Sequence, residues 1–308
     1  MTIGTRFGTD MATEALDDVV DSSPVIDQIV QGLVFGEGPV WDAANGRLVF
    51  SEIIGNVIWE WIPGVGQKPL VKPSRHANGL TFDREGRLLV AGWSTRTIWR
   101  IEPDGSFVTL ASTFEGKKFN SPNDIVVRSD GRIYWTDSAG GLVIPGMVGE
   151  DIQRYLDVQG VFAMSEGGDV DLVVDDCAYP NGLCFSPDET ILYVNDTKLG
   201  IIRAFDVAPN GGLSNGRLFH TLAGKEPGVA DGMKVDRTGT LYCTGPGGIH
   251  VISTGGELLG RIRIPGHATN LAWGDEDWRT LYITTYDGVL RIRMKQQGIC
   301  VPLRGGMK

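Results

Sequence analysis

The sequence has little that would support binding to nucleic acid. Its 28 Lys and Arg residues are outnumbered by 38 Asp and Glu residues, which gives a formal net charge of -10. Proteins that bind phosphate backbones use clustered basic side chains, and no basic cluster is visible along this chain. The composition therefore argues against a nucleic-acid partner.

The sequence also lacks the long apolar runs of a membrane protein. No apolar stretch approaches the ~20 residues that a membrane-spanning helix needs. Residues 1–23 have neither the basic start nor the apolar core of a secretory signal. These absences predict a cytoplasmic protein without a membrane partner, and we expect residues 1–23 to form a flexible N-terminal segment.

Cysteines and histidines are few and do not form metal-binding patterns. The four cysteines are Cys177, Cys184, Cys243 and Cys300, and no two of them form a CxxC pair. Because Cys184 and Cys243 fall inside apolar runs, we predict buried free thiols. The composition, with 42% hydrophobic residues and 43 glycines, suits a β-rich protein with many turns.

What the sequence does contain is one motif repeated six times. Each copy has a polar residue, a short apolar run, a turn and a second apolar run, as in PNDIVVRSDGRIYWTD. The intervals between the polar residues are 41, 45, 58, 50 and 39 residues. We call these polar residues the axial residues, and in chain order they are Glu37, Asn78, Asn123, Asn181, Asp231 and Asn270.

Repeats of about 40 to 50 residues with several short strands each are typical of β-propellers. Two further apolar runs complete most repeats, which indicates four strands per blade. The sixth repeat has only three runs, whereas VIDQIVQG near the N-terminus belongs to no repeat. We therefore predict an all-β fold, a single six-bladed β-propeller domain over residues 24–308, whose ring the N-terminal strand closes because closure removes an exposed sheet edge.

In a propeller the first strand of each blade lines the central channel, so the six axial residues should meet near the axis. Two carboxylates and four carboxamides form an oxygen-only donor set, which suits a hard divalent cation such as Ca²⁺. The alternative is that each Asn or Asp only forms a turn with its own backbone. Spacing alone does not separate metal ligands from the other axial residues.

Six ordered motifs resemble the gluconolactonase family, which includes regucalcin (senescence marker protein) and, more distantly, the diisopropyl-fluorophosphatase type. The resemblance extends from about Val30 to Arg293. The motifs are GEGPVWD from Gly36, NSPNDIVV from Asn120, PNGLCFSPDETILYV from Pro180, ADGMKVD from Ala230, TGPGGI from Thr244 and TNLAWG from Thr269.

The resemblance implies one divalent cation near the axis, most often Ca²⁺ and in some members Zn²⁺, Mg²⁺ or Mn²⁺. Position by position, it implies metal ligands at Glu37, Asn123, Asn181 and Asp231. It also makes Asp231 the catalytic residue, a general base or nucleophile, in the opening of a sugar lactone. By the same analogy, Asn78 and Asn270 support the ligands or contact the substrate.

The sequence departs from the family pattern beside the predicted metal site. Ser121 stands where vertebrate members have arginine, and Trp93 lies where bacterial members often have a histidine-containing motif. TDSAGG from Thr136 replaces TDPPYG. We interpret Ser121 and Trp93 as substrate-binding candidates, with packing between blades as the alternative for Trp93.

Two further features of the sequence bear on the rim of the channel. His267 lies close to an axial residue and is also a substrate-binding candidate, although an ordinary rim position is the alternative. Residues 144–157 form either a lid over the channel mouth or a plain surface insertion.

The sequence therefore predicts a metal-dependent hydrolase that opens a small lactone at a cation on the propeller axis. One alternative is a phosphoester or phosphofluoridate hydrolase, or a metal-assisted isomerase, that uses the same site. Another is a calcium-binding propeller without enzymatic activity that acts as a protein-interaction module. The expected partner is a small-molecule substrate, and the sequence does not predict the oligomeric state.

Overall fold

The computed structural model describes residues 5–6, 8–144 and 151–302. Nearly all regular structure within these ranges is β, in six antiparallel sheets. The innermost strand of each sheet contacts the innermost strand of the next, and the last contacts the first. The prediction of a six-bladed β-propeller with four-stranded blades is confirmed.

The first three blades follow the chain from an inner strand at the axis to an outer strand at the rim. Blade 1 consists of Gly36–Asp42, Arg47–Glu52, Val57–Ile62 and Gly66–Val71. Blade 2 consists of Leu80–Phe82, Leu88–Gly92, Thr97–Ile101 and Phe107–Ala111. Blade 3 consists of Ser121–Val127, Ile133–Ser138, Gly160–Met164 and Val170–Val174.

The other three blades repeat this order, and the last one borrows its outer strand. Blade 4 consists of Pro180–Phe185, Ile191–Asp196, Ile201–Val207 and Leu213–Thr221. Blade 5 consists of Met233–Val235, Leu241–Gly245, Gly248–Ile252 and Leu258–Ile262. Blade 6 consists of Ala268–Gly274, Thr280–Thr285, Gly288–Arg293 and the N-terminal strand Val25–Gln31.

The N-terminal strand closes the ring as the sequence predicts. It pairs antiparallel with Gly288–Arg293, placing Ile26 opposite Ile292 and Val30 opposite Val289. Ile26 and Val30 are both buried. The strand therefore supplies hydrogen bonds to what would be an open edge and covers apolar surface at the same time.

The residues before this strand also pack against the propeller. Thr9–Met11 adds a strand to the edge of blade 5, and Thr5–Arg6 adds one to blade 6. A 3-10 helix at Glu14–Asp18 follows and buries Leu16 in the core. The flexibility predicted for residues 1–23 stays a prediction, and composition alone does not indicate these contacts.

Three short elements interrupt the blades. Thr113–Phe114 and Lys117–Lys118 form a small hairpin between blades 2 and 3. A one-turn helix at Gly140–Val143 follows the second strand of blade 3. The lid predicted over residues 144–157 falls partly on 145–150, which lie outside the described residues.

Other sequence predictions concern thiols and membranes. All four cysteines are free, and Cys184 and Cys243 are buried as predicted. Within the described ranges, no helix combines the length and apolar character that crossing a membrane requires. The cytoplasmic location stays a prediction.

Candidate active site

The axial residues lie side by side because each blade donates a hydrogen bond to the backbone of the next blade, at or beside its axial residue. Ser51 Oγ of blade 1 donates to the Asn78 carbonyl at 2.7 Å. In blade 2, Gly79 N donates to the Asn123 carbonyl at 2.8 Å. Thr136 Oγ1 of blade 3 donates to the Asn181 carbonyl at 2.6 Å.

The same linkage continues through the second half of the ring. Asn195 Nδ2 of blade 4 donates to the Asp231 carbonyl. Gly232 N of blade 5 donates to the carbonyl of Thr269, which precedes Asn270, at 2.7 Å. Thr269 Oγ1 then donates to the Gly36 carbonyl of blade 1 at 2.6 Å, which closes the circle. The six repeats therefore converge on one small region of the axis.

Glycine follows the axial residue in four blades because the neighbouring blade comes so close. A Cβ atom on Gly38 would lie 2.2 Å from the Asn78 carbonyl oxygen, and one on Gly182 would lie 2.2 Å from that of Asp231. Neither space can hold a side chain. The axial residues can converge only because these positions carry none.

The acidic axial residues are buried and destabilise each other as anions. Glu37 is 2% exposed and Asp231 is 7% exposed. Burial, and next the Asp124 carboxylate, raise the pKa of Glu37 to about 7. Burial, followed by Glu37 and Asp124, raises the pKa of Asp231 well above its ordinary value. A bound cation would relieve this repulsion.

Three axial carboxamide oxygens are buried and have no hydrogen-bond partner among the described residues: Oδ1 of Asn78, Asn123 and Asn181. Asn181 Nδ2 donates to Thr197 Oγ1 at 3.0 Å, so its orientation is set and its oxygen is left unpaired. Buried polar atoms normally find a partner. Unpaired carboxamide oxygens beside two buried carboxylates are a donor set that fits Ca²⁺ or another hard divalent cation.

The donor set is not made of carboxylates alone. In the part of the chain that the structure describes, no group of three or more His, Cys, Asp and Glu side chains is placed to hold a metal ion. A cation at the axis would therefore need carboxamide oxygens as well as the carboxylates of Glu37 and Asp231. Oxygen ligands of both kinds are common around Ca²⁺.

Asn270 supports the site through both ends of its amide. Its Nδ2 donates to Glu37 Oε2 at 2.9 Å. Its Oδ1 accepts from Leu271 N at 2.8 Å and from Lys234 Nζ at 3.3 Å. These contacts hold the Glu37 carboxylate in place. They also give both the nitrogen and the oxygen of the Asn270 amide a protein partner.

The structure places two further charged residues at the axis that the sequence analysis did not select. Asp124 is 2% exposed, and its Oδ2 lies 3.8 Å from Lys234 Nζ. Asp124 occupies the position at which Gly38, Gly79 and Gly182 follow their axial residues. A position-by-position comparison of the six motifs could have found Asp124, because it is an acidic residue at a position where four motifs have glycine.

Two of the predicted substrate-binding residues are buried in the wall of the site. Ser121 is inaccessible to solvent, and its hydroxyl donates to the Ser138 carbonyl at 2.5 Å and accepts from Gly141 N at 2.9 Å. Trp93 is 3% exposed, and a Cβ on Gly140 or Gly141 would lie 3.2 Å from its ring. Two of the three departures from the family pattern, Trp93 and TDSAGG, therefore pack against each other.

An aromatic row lies at the rim and includes the predicted residue His267. The His267 ring stacks on Tyr286 at 4.5 Å between centroids, and Tyr286 meets Phe35 edge-on at 4.8 Å. Burial lowers the pKa of His267, so its ring is neutral near pH 7. The pKa of Tyr286 is raised by burial and then by the charges of Asp231 and Glu37, which indicates that the row faces the acidic site.

Comparisons with known proteins show what this chain is similar to. Residues 35–287 match the model of the family described as SMP-30/Gluconolactonase/LRE-like region. The gluconolactonase of Zymomonas mobilis is 33% identical over 306 residues, which cover 92% of this chain and 85% of that protein. The regucalcin of Oryctolagus cuniculus is 28% identical over 255 residues, with coverage of 81% and 82%. A solved gluconolactonase structure from Xanthomonas campestris has a TM-score of 0.86 and 29% identity, covering 96% of this chain and 99% of that chain.

Proposed function

The chain belongs to the SMP-30/gluconolactonase/LRE-like family, and on this premise we propose that it is a metal-dependent lactonase acting on a small, sugar-like lactone. Its similarity to a gluconolactonase over most of both chains supports lactone hydrolysis. The single observation that carries the proposal is the set of buried, unpaired carboxamide oxygens beside Glu37 and Asp231.

We assign the cation to Glu37, Asn123, Asn181 and Asp231. When bound, the cation would polarise the lactone carbonyl and stabilise the oxyanion that develops on it. Asp231 would accept a proton from the attacking water as general base. Burial raises the pKa of Asp231 without a cation, and a bound cation would favour the carboxylate form that acts as base.

The other axial residues would position the reacting groups. Asn270 holds Glu37 through its amide nitrogen. Asn78 has an unpaired, buried Oδ1 within the described residues, and we assign it to a hydroxyl group of the substrate. His267 and Tyr286 would stack against the lactone ring, whereas Ser121 and Trp93 would shape the wall behind it.

The alternatives raised by the sequence are not supported by a specific observation. Neither the described residues nor the compared relatives favour phosphoester hydrolysis, isomerisation or a purely structural calcium site. The substrate screen should nevertheless include aryl phosphates, because they would use the same cation and the same general base.

The test is a comparison of metal-stripped protein with protein loaded with Ca²⁺, Mg²⁺, Mn²⁺ or Zn²⁺. We expect sugar lactones to be opened only by a metal-loaded form, in a pH-indicator assay of acid release. Millimolar Ca²⁺ should also raise the melting temperature, because a ligand that binds only the folded state stabilises it. Full activity in stripped protein, or an unchanged melting temperature with every metal, would overturn the metal-dependent mechanism.

A further inference from the structure

One layer of the channel, directly below the axial residues, is apolar or neutral in five blades and positively charged in the sixth. The strand register places Lys234 opposite Tyr242 in blade 5. The equivalent residues on the other inner strands are Val40, Thr81, Val126, Cys184 and Ala272. All six line the same cavity, and none of the axial residues lines it. A lone ammonium in such a layer requires an explanation.

A second exception to the repeat lies next to it. Asp124 follows its axial residue at a position where four blades have glycine. Its Oδ1 accepts from Ile125 N at 2.9 Å. Its Oδ2 is buried and has no hydrogen-bond partner in the described ranges, and it lies 3.8 Å from Lys234 Nζ. Asp124 and Lys234, the charged exceptions at these two positions, therefore face each other across the channel.

Lys234 is held toward the acidic site and away from bulk solvent. Its Nζ donates to the Met233 carbonyl at 3.0 Å and to Asn270 Oδ1 at 3.3 Å. The side chain is 22% exposed, and what it exposes faces the cavity. Asn270 links the ammonium to Glu37, because its Oδ1 accepts from Lys234 Nζ and its Nδ2 donates to the Glu37 carboxylate.

Four charged side chains determine the net charge at the axis. With every carboxylate ionised, Glu37, Asp124 and Asp231 contribute three negative charges, and Lys234 contributes one positive charge. The sum is minus two, which a divalent cation neutralises. Without Lys234 the same side chains would sum to minus three, and without Asp124 to minus one.

We propose that Lys234 compensates the charge of Asp124, so that the axial site keeps a net charge of minus two and stays selective for divalent over trivalent cations. This inference rests on the proposed metal-dependent function. Asp124 and Lys234 act as positioning and specificity-determining residues, since neither needs to touch the cation. Coulomb interactions in a partly dry site are strong enough to make one added charge matter.

The test measures the ratio of Tb³⁺ to Ca²⁺ affinity by isothermal titration calorimetry on the full chain. Tb³⁺ takes the same oxygen ligands as Ca²⁺ but carries one more charge. Lys234→Met keeps the length and the apolar stem of the side chain and removes the charge. We expect it to raise the Tb³⁺/Ca²⁺ affinity ratio about tenfold or more, whereas Lys234→Arg should leave the ratio near that of the wild type.

Two further variants make the test independent of any single substitution. Asp124→Asn should lower the ratio, and the double variant Asp124→Asn/Lys234→Met should return it toward the wild-type value because the net charge is again minus two. Lys68→Met is the matched control, because Lys68 lies on the outer strand of blade 1 and is 60% exposed. It should not change the ratio.

The outcomes separate this inference from the proposed function. A wild-type protein that binds neither ion overturns the metal site itself. A wild type that binds both ions, with Lys234→Met and Asp124→Asn leaving the ratio unchanged, overturns only the compensation of Asp124 by Lys234. If Lys234→Met fails to fold, the Asp124→Asn variant still decides, because its ratio must fall.

Discussion

The substitution Asp231→Asn separates the two roles proposed for this residue, metal ligand and general base. The amide keeps one oxygen that can coordinate a cation, but it cannot accept a proton from water. The change also removes one of three carboxylates that act on each other at the axis, since burial, Glu37 and Asp124 all raise the pKa of Asp231. Cation affinity should therefore fall together with activity.

The size of the effect follows from these two losses. Proton transfer by a positioned base contributes about 10² to 10⁴ in rate, so kcat at metal saturation should fall by about that factor. The loss of metal affinity has to be removed from the comparison first. Ca²⁺ must therefore be raised until the variant is saturated, as judged by calorimetry, before its rate on the best lactone is measured.

The control variant should change charge at another ligand without removing a base. Asn181→Asp is a poor choice because Asn181 Nδ2 donates to Thr197 Oγ1, whose own proton goes to the Ala230 carbonyl. A carboxylate there would meet an oxygen without a proton to share. Asn123→Asp avoids this contact and should keep metal with a smaller loss of kcat. A saturated Asp231→Asn enzyme that works at the wild-type rate would show that Asp231 is a ligand only.

Other predictions concern stability and the substrate wall. Leu16→Ala should destabilise the fold by about 2 to 5 kcal/mol in urea unfolding, because Leu16 is 1% exposed in the core; an unchanged midpoint would contradict its packing. Burial raises the pKa of Asp137 from 3.8 to about 7, so its contribution to stability is lost as the pH rises through that value. Asp137→Asn should therefore gain about 2 to 3 kcal/mol relative to wild type between pH 5 and pH 8, and parallel pH profiles would refute this. Gly141→Ala should raise KM for the best lactone more than it lowers kcat, because its Cβ would lie 2.9 Å from Ser121 Cβ and 3.2 Å from the Trp93 ring; kinetics equal to those of the wild type would show that these side chains move aside.

The repeat made the fold predictable because it reports both strand spacing and register. From each axial residue to a fixed apolar position in the second strand the distance is 10 or 11 residues, in all six copies. Such regularity requires equivalent blades. The missing strand of blade 6 and the unassigned VIDQIVQG segment were then enough to predict closure, which Val25–Gln31 performs.

The N-terminal segment and the aromatic row were not predictable in the same way. Asp10 forms ion pairs with Arg261 and Arg263, about 250 residues away in sequence, and no local pattern reports such a contact. Phe35 and Tyr286 lie outside the repeated motif, at loop positions that differ between blades. Their proximity depends on how the first and last blades meet, which only the closed ring determines.

The site could be predicted only as far as it is symmetric, and its chemistry depends on departures from symmetry. Six equivalent amides would offer a cation no charge and a substrate no base. The chain places its carboxylates in blades 1, 3 and 5, as Glu37, Asp124 and Asp231, and amides in the blades between them. This alternation keeps the three acids out of adjacent blades while all three act on one another across the axis. Lys234 then offsets one of the three charges from below. A repeat reports what the blades share, so a search for function in such a fold should begin with the positions at which one blade differs from the other five.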